Sequence, residues 1–120
     1  MNGKFVHKEL AEGGWRKLSL AGQMGNIGSE VFRAASAYGK NEESFQMAVE
    51  RAFELFDLTL DDSRWKGRLR EIARAREIFG DAVYGGKLYG STLSGLMPYF
   101  DWFALAAAKK DGGYILKSQI

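Results

Sequence analysis

From Ser19 to Tyr38, the apolar residues Leu20, Met24, Ile27, Val31, Ala34, Ala35 and Tyr38 recur at intervals of three and four. That spacing predicts one buried stripe along an α-helix and leaves little else for the segment to form. Ser19 is placed to cap its start and Gly39 to stop its end. Beside the stripe runs a second one of small residues, Ala21, Gly25, Gly28, Ser29 and Ser36. Gly22, Gly25 and Gly28 fall within seven residues, and each costs about 1 kcal/mol of helix propensity relative to alanine. Close approach of another backbone is the physical reason for that expense. A phosphate loop is the wrong reading, because it needs a strand before the glycines.

Three more helical patterns occupy the rest of the chain. Asn41 caps the second helix, with Glu42 and Glu43 at the positive end of its macrodipole. Phe45, Val49, Ala52, Phe53, Phe56 and Leu60 form its core face. The third opens after Asp62 or Ser63 and carries Trp65, Leu69, Ile72, Phe79 and Val83 inward, with Arg76 in the middle of the same stripe. Residues 84–95 make a glycine-rich connection without a period, in which Ser91 or Thr92 caps the fourth helix. That last helix is expected to be strongest from Pro98 to Lys109, since proline suits a first turn. Leu96, Phe100, Phe103 and Ala107 give it a core face, and Tyr99, Trp102 and Ala106 a second apolar face. No strand-period segment of useful length and no internal repeat is present. The expected architecture is all-α, a four-helix bundle in a single domain, with a core over about residues 15–109 and peripheral segments at 1–14 and 111–120.

At 120 residues with 46% hydrophobic content, the chain can bury a core without metal or disulfide staples. It contains no cysteine, which excludes zinc ribbons, dithiol redox chemistry and thiol nucleophiles. The N-terminal stretch mixes Lys4, His7, Lys8, Glu9 and Glu12 with isolated apolar residues, unlike a secretory signal. The most apolar run, Leu93 to Ala108, contains Asp101 and is interrupted by Gly95 and Pro98, so no membrane partner is expected. These features together predict a cytoplasmic protein.

Charge is the most conspicuous surface feature. Residues 42–62 set seven carboxylates against Arg51, a local charge of −6, and residues 63–79 set six cations against Glu71 and Glu77, a local charge of +4. Glu43, Glu50, Glu54, Asp57 and Asp61 occupy a wedge of roughly 60° opposite the second helix's core face. Di-metal bundles take their carboxylates from inward-facing positions with a Glu-x-x-His motif. That motif is absent, and neither a metal nor another cofactor is expected. Lys66, Arg70 and Arg74 line one outer side of the third helix, with Arg64 and Arg68 on the other flank; such a row can neutralise nucleic-acid phosphates. Arg76 needs a partner if buried, and Glu30, Asp57 and Glu77 are the candidates. Gln23, Asn26, Glu30 and Arg33 make a polar stripe on the first helix, apart from its core and small-residue faces, which solvent exposure accounts for as well as a ligand does. Arg76, Asp57, Glu30 and Asn26 are the residues expected to make a buried polar network. His7 is the lone histidine and precedes every arginine, which excludes the arginine-x4-6-histidine motif of helical HEPN ribonucleases. No catalytic constellation is legible.

The run Leu18-Ser19-Leu20-Ala21-Gly22-Gln23 with Asn26-Ile27-Gly28-Ser29-Glu30-Val31, then Ala52-Phe53-Glu54-Leu55-Phe56-Asp57-Leu58-Thr59 and Arg64 to Glu77, resembles a family of small uncharacterised prokaryotic all-helical proteins. The resemblance covers most of residues 15–105. It implies a natural single helical domain and carries no assigned activity. The chain departs from that pattern at Gly85-Gly86-Lys87 and at Pro98. In architecture alone, a small bundle with a basic helix is similar to the four-helix accessory proteins of ribosomal intervening sequences and of diversity-generating retroelements.

The leading functional expectation is a non-enzymatic interaction or scaffold protein that self-associates, as a dimer, through Tyr99, Trp102 and Ala106. An RNA- or DNA-binding bundle using Lys66, Arg70 and Arg74 is the alternative. An enzyme with a polar pocket around Arg76 ranks third.

Overall fold

The computed structural model describes residues 13–110, and the side chains of all of these except 104 and 106–110. His7, the C-terminal tail and the side chains of Ala106 and Ala107 therefore lie outside the described residues. A 3-10 turn at Gly14–Lys17 leads into four α-helices, α1 (Leu20–Ala37), α2 (Glu42–Leu60), α3 (Leu69–Val83) and α4 (Leu93–Lys110). A second 3-10 segment, Ser63–Arg68, joins α2 to α3. No strand occurs among the described residues, and the fold is the all-α four-helix arrangement that the periodicity predicts.

The expected N-caps of the first two helices form. The Ser19 hydroxyl accepts from the backbone N–H of Gly22 at 3.0 Å, and Asn41 Oδ1 accepts from that of Ser44 at 2.9 Å. α1 packs chiefly against α4 and α2, while α3 packs mainly against α2. Ten consecutive residues of α1, from Gly22 to Val31, are buried. Ten residues make nearly three turns, so every direction around the helix axis is covered. The polar side chains of Gln23, Asn26 and Glu30 thus lie inside the protein instead of forming an outer stripe.

Gly28 shows how this enclosure is reached. A Cβ there would stand 2.5 Å from Cβ of Phe100, so the missing side chain is what lets α4 approach. Phe100 is 2% exposed and meets Phe56 edge-on at 6.3 Å between centroids. Phe56 in turn lies 6.0 Å from Phe79, which joins α4, α2 and α3 through one aromatic line.

Several boundaries differ from the sequence expectation. The chain leaves the helix after Ala37, and Tyr38, at φ −57° and ψ 123°, projects outward and is 62% exposed. The third helix begins as a 3-10 segment in which Trp65 leaves helical geometry, at φ −101° and ψ 24°. Three residues per turn in place of 3.6 shifts the faces, so Trp65 is half-buried and Leu69 is exposed. α4 starts at Leu93, where the Thr92 hydroxyl accepts from the Gly95 N–H at 3.0 Å. Pro98 therefore sits in the second turn and leaves the Ser94 carbonyl without its helical donor.

The α3–α4 connection is organised by a buried carboxylate that lay outside the expected core. Asp81 accepts backbone N–H bonds from Leu88 at 2.9 Å, Tyr89 at 3.1 Å and Ser91 at 3.2 Å. Burial alone pushes this carboxyl up, but those backbone donors outweigh it and hold Asp81 below the ordinary carboxylate range. Gly86 permits the fold-back. It adopts φ +71°, and a Cβ there would meet the Ser91 carbonyl oxygen at 2.6 Å.

Gly28→Ala tests the helix contact. Overpacking against Phe100 costs about 1–3 kcal/mol, and the propensity gain of about 1 kcal/mol offsets only part of it. Thermal unfolding should fall by several degrees. Gly67→Ala, where nothing lies within 4 Å, should leave the midpoint unchanged or higher.

Candidate functional site

Three groups of residues carry the chemistry that the sequence offers, and the structure separates them. The first is polar and internal. Gln23 donates from Nε2 to the Trp15 carbonyl at 2.9 Å and to Asp62 Oδ2 at 3.1 Å. Its Oε1 accepts from Trp65 Nε1 at 2.9 Å. Trp15 Nε1 donates to the Thr59 hydroxyl at 3.0 Å, and that hydroxyl donates to the Leu55 carbonyl at 2.9 Å. Asp62 completes the cluster by accepting from Arg64 Nη2 at 2.7 Å and from Arg64 Nε at 3.1 Å. Arg64 also reaches the Leu18 carbonyl at 2.8 Å and stacks over Trp65 with 4.4 Å to the ring centroid.

This cluster pins the N-terminal turn, α1, the end of α2 and the second 3-10 segment to one another. Its amide and carboxylate valences are spent on structure, so it is a latch and holds no reactive group in readiness. The Arg64 hydrogen bonds, helped by Gln23 and opposed by burial, hold the Asp62 carboxyl down at about 2 from its ordinary 3.8. Sequence reading misses the latch because it places Asp62 as a helix cap and Gln23 on a solvent stripe. The one available signal is the pair of tryptophans, Trp15 and Trp65, whose N–H groups need acceptors once buried.

Arg76, Asp57, Glu30 and Asn26 do not form one network. Arg76 Nε donates to Asp57 Oδ1 at 2.9 Å at the protein surface, where their side chains are 38% and 61% exposed. Its guanidinium lies over the Phe53 ring, 4.7 Å from the centroid. The stem covers the core and the head reaches water, which is how an arginine fits an apolar stripe. Glu30 is instead buried within α1 and accepts from Arg33 Nη1 at 2.8 Å. Asn26 Nδ2 donates to the Gly22 carbonyl at 2.8 Å. Asn26 Oδ1, Ser29 Oγ and Glu30 Oε1 have no hydrogen-bond partner among the described residues.

The second group is basic and external. Lys66, Arg70 and Arg74 are all exposed. A surface groove of about 510 Å³ is lined by Arg70, Ala73, Arg74, Arg76 and Glu77. Arg74 stacks near Tyr89, 5.4 Å from its ring centroid. On the other flank Arg68 pairs with Glu71 at 2.7 Å, and Arg64 belongs to the latch. The carboxylate wedge of α2 adjoins this groove through the Arg76–Asp57 pair; Glu43, Glu50, Asp57 and Asp61 are exposed and Glu54 is half-buried. No cluster of metal-ligating side chains occurs among the described residues.

The third group is apolar. Trp102 is 73% and Leu105 66% exposed on α4. Tyr99, partly exposed, meets Phe100 and Phe103 edge-on at 5.2 and 5.3 Å. Beside it, a groove of about 370 Å³ between α3 and α4 is lined by Glu71, Arg74, Ala75, Ile78, Leu96, Tyr99 and Phe100. Desolvation and the nearby Glu71 carboxylate push the Tyr99 hydroxyl above its ordinary value. No helix among the described residues is long and apolar enough to cross a membrane.

Comparison with protein-family models, with curated proteins and with solved structures finds no match to this chain.

The latch has a defined pH signature. A carboxyl whose folded value is lowered stabilises the fold above its unfolded value, and that contribution is lost as pH falls. For Asp62 the loss spans pH 3.8 down to about 2. Asp62→Asn should lower stability at neutral pH by about 2–3 kcal/mol, the worth of hydrogen bonds to a charged group. It should also flatten the fall of the unfolding midpoint across that acidic window. Urea titrations at a series of pH values measure both effects.

Proposed function

We propose that this chain is a non-enzymatic helical interaction module of the cytoplasm that assembles with a second copy of itself through α4. The supporting observation is the outward placement of Trp102 and Leu105 beside Tyr99 and the apolar α3–α4 groove. Fully burying a side chain of this kind is worth about 1.5–3 kcal/mol, and contiguous apolar surface of this sort marks association sites. A two-fold arrangement sets the same face of each copy against the other, so each Trp102 packs toward the partner's groove. By the sequence pattern, Ala106 belongs with Tyr99 and Trp102 in this contact.

Sedimentation equilibrium should report a dimer that Trp102→Asp converts to a folded monomer with unchanged helicity. A monomer from micromolar to millimolar concentration, indifferent to that substitution, would remove the proposal.

One observation favours a second reading, a nucleic-acid-binding accessory bundle. Arg70, Arg74 and Arg76 line one groove together with Glu77, Lys66 is exposed on the same helical row, and among the described residues Lys66 and Arg70 make no ion pair. Phosphate neutralisation gives affinity that falls linearly on a log–log plot against salt. RNA and DNA oligomers should then bind with a steep salt slope that Arg70→Glu reduces. A flat slope, or no effect of that variant, rules the reading out.

A further inference from the structure

A different groove, of about 510 Å³, crosses the turn between α1 and α2. Its chemistry is mixed in a particular way. Arg33, Lys40 and Arg51 line it together with Phe32, Ser44 and Met47, and no carboxylate does. Phe32 and Met47 are 49% and 43% exposed, large apolar side chains that the fold leaves in water. None of these residues belongs to α4 or to the basic side of α3.

Each cation is held differently. Arg33 is anchored from inside the protein by the buried Glu30 carboxylate, which fixes where its guanidinium stands. Lys40 lies in the turn, after Gly39 at φ +75°, and Arg51 is half-buried along α2. Neither Lys40 nor Arg51 makes an ion pair among the described residues. The floor also contains the start of α2, where the macrodipole adds partial positive charge.

Spacing decides what the groove suits. The ten residues from the Asn41 cap to Arg51 span about 15 Å along α2 at a rise of 1.5 Å per residue. One phosphate or carboxylate cannot serve both ends. The occupant must carry several anionic groups along its length, with apolar groups between them to cover Phe32 and Met47. A polynucleotide presents phosphates along its length but offers methionine no matching side chain. An amphipathic acidic helix meets both demands, since carboxylates three turns apart on one face are about 16 Å apart and apolar residues at intermediate positions face the same way. We infer that the α1–α2 groove is a docking site for an acidic amphipathic peptide segment of a partner protein, steered by Lys40 and Arg51 and anchored on Phe32 and Met47. Methionine beside an aromatic is a surface that adapts to different apolar side chains.

Random 16-residue peptides displayed on phage, selected on the full chain and counter-selected on Lys40→Glu/Arg51→Glu, test this directly. Enriched sequences should combine Asp or Glu with Leu, Phe or Trp at helical spacing. A synthetic peptide of that consensus, followed by fluorescence anisotropy, should bind more weakly by about tenfold or more to the double variant and to Met47→Asp, the equivalent of at least 1.4 kcal/mol. Trp102→Asp should bind it as the parent chain does, which keeps this site separate from self-association. Lys40, Met47 and Trp102 are exposed and Arg51 is half-buried, and circular dichroism verifies that the variants fold. No enrichment, enriched peptides without acidic residues, binding indifferent to the double variant, or displacement of the peptide by an oligonucleotide at these same residues would each overturn the assignment.

Discussion

The fold is arranged around a stretch of helix that has no outside. Because Gly22 to Val31 of α1 are enclosed in every direction, each polar group on that stretch had to find a partner within the protein or bear a desolvation cost of about 1–3 kcal/mol. Gln23 meets the demand completely by joining Trp15, Trp65 and Asp62. Glu30 meets half of it through Arg33. The glycines that make the enclosure possible and the polar groups that the enclosure traps are therefore one design problem, solved by close backbone contact on one flank and side-chain hydrogen bonds on another.

The remaining charge is mostly external, and it is divided by position along the fold. The carboxylate wedge of α2 faces out on one side, the arginines of α3 on another, and the Arg33–Lys40–Arg51 groove opens across the first interhelical turn. Arg76 illustrates how a charge can interrupt an apolar stripe at small cost, by laying its stem on Phe53 and its head against Asp57. With a net charge of only +2, the molecule still presents distinct acidic, basic and apolar surfaces.

Where local rules act alone, the sequence is legible. The Ser19 and Asn41 caps, the four helices and the core residues Met24, Ile27, Phe56, Ile72 and Phe79 come from periodicity and capping. The close approach at α1 is legible from the glycines, although not which residue fills the space. Legibility fails where tertiary context overrides the local pattern. A period of 3.6 does not foresee that residues 63–68 wind as a 3-10 segment, so it turns Leu69 inward where the structure exposes it, while Trp65 packs against the core as expected. Pro98 suits a first turn, yet Thr92 starts the helix a turn and a half earlier. Gln23, Asn26 and Glu30 read as a solvent stripe because a one-dimensional pattern does not show how many neighbours a helix has. The exposed arc of α4 at Tyr99 and Trp102 is legible as its second apolar face, whereas the α1–α2 groove depends on two helices meeting at an angle that no single segment encodes.

The latch around Asp62 joins partners 39 to 46 residues apart in the chain. Contacts of that separation reward folding only after the entropy of closing the intervening loop has been met. Docking α1 on α2 shortens that loop, so the N-terminal turn closes at least entropic cost over a hairpin that already exists. Interactions formed after the transition state set the rate of unfolding more than that of folding. A latch that closes late acts as a brake on opening, so Asp62 and the arginine that holds it bear on the lifetime of the native state more than on the speed of reaching it.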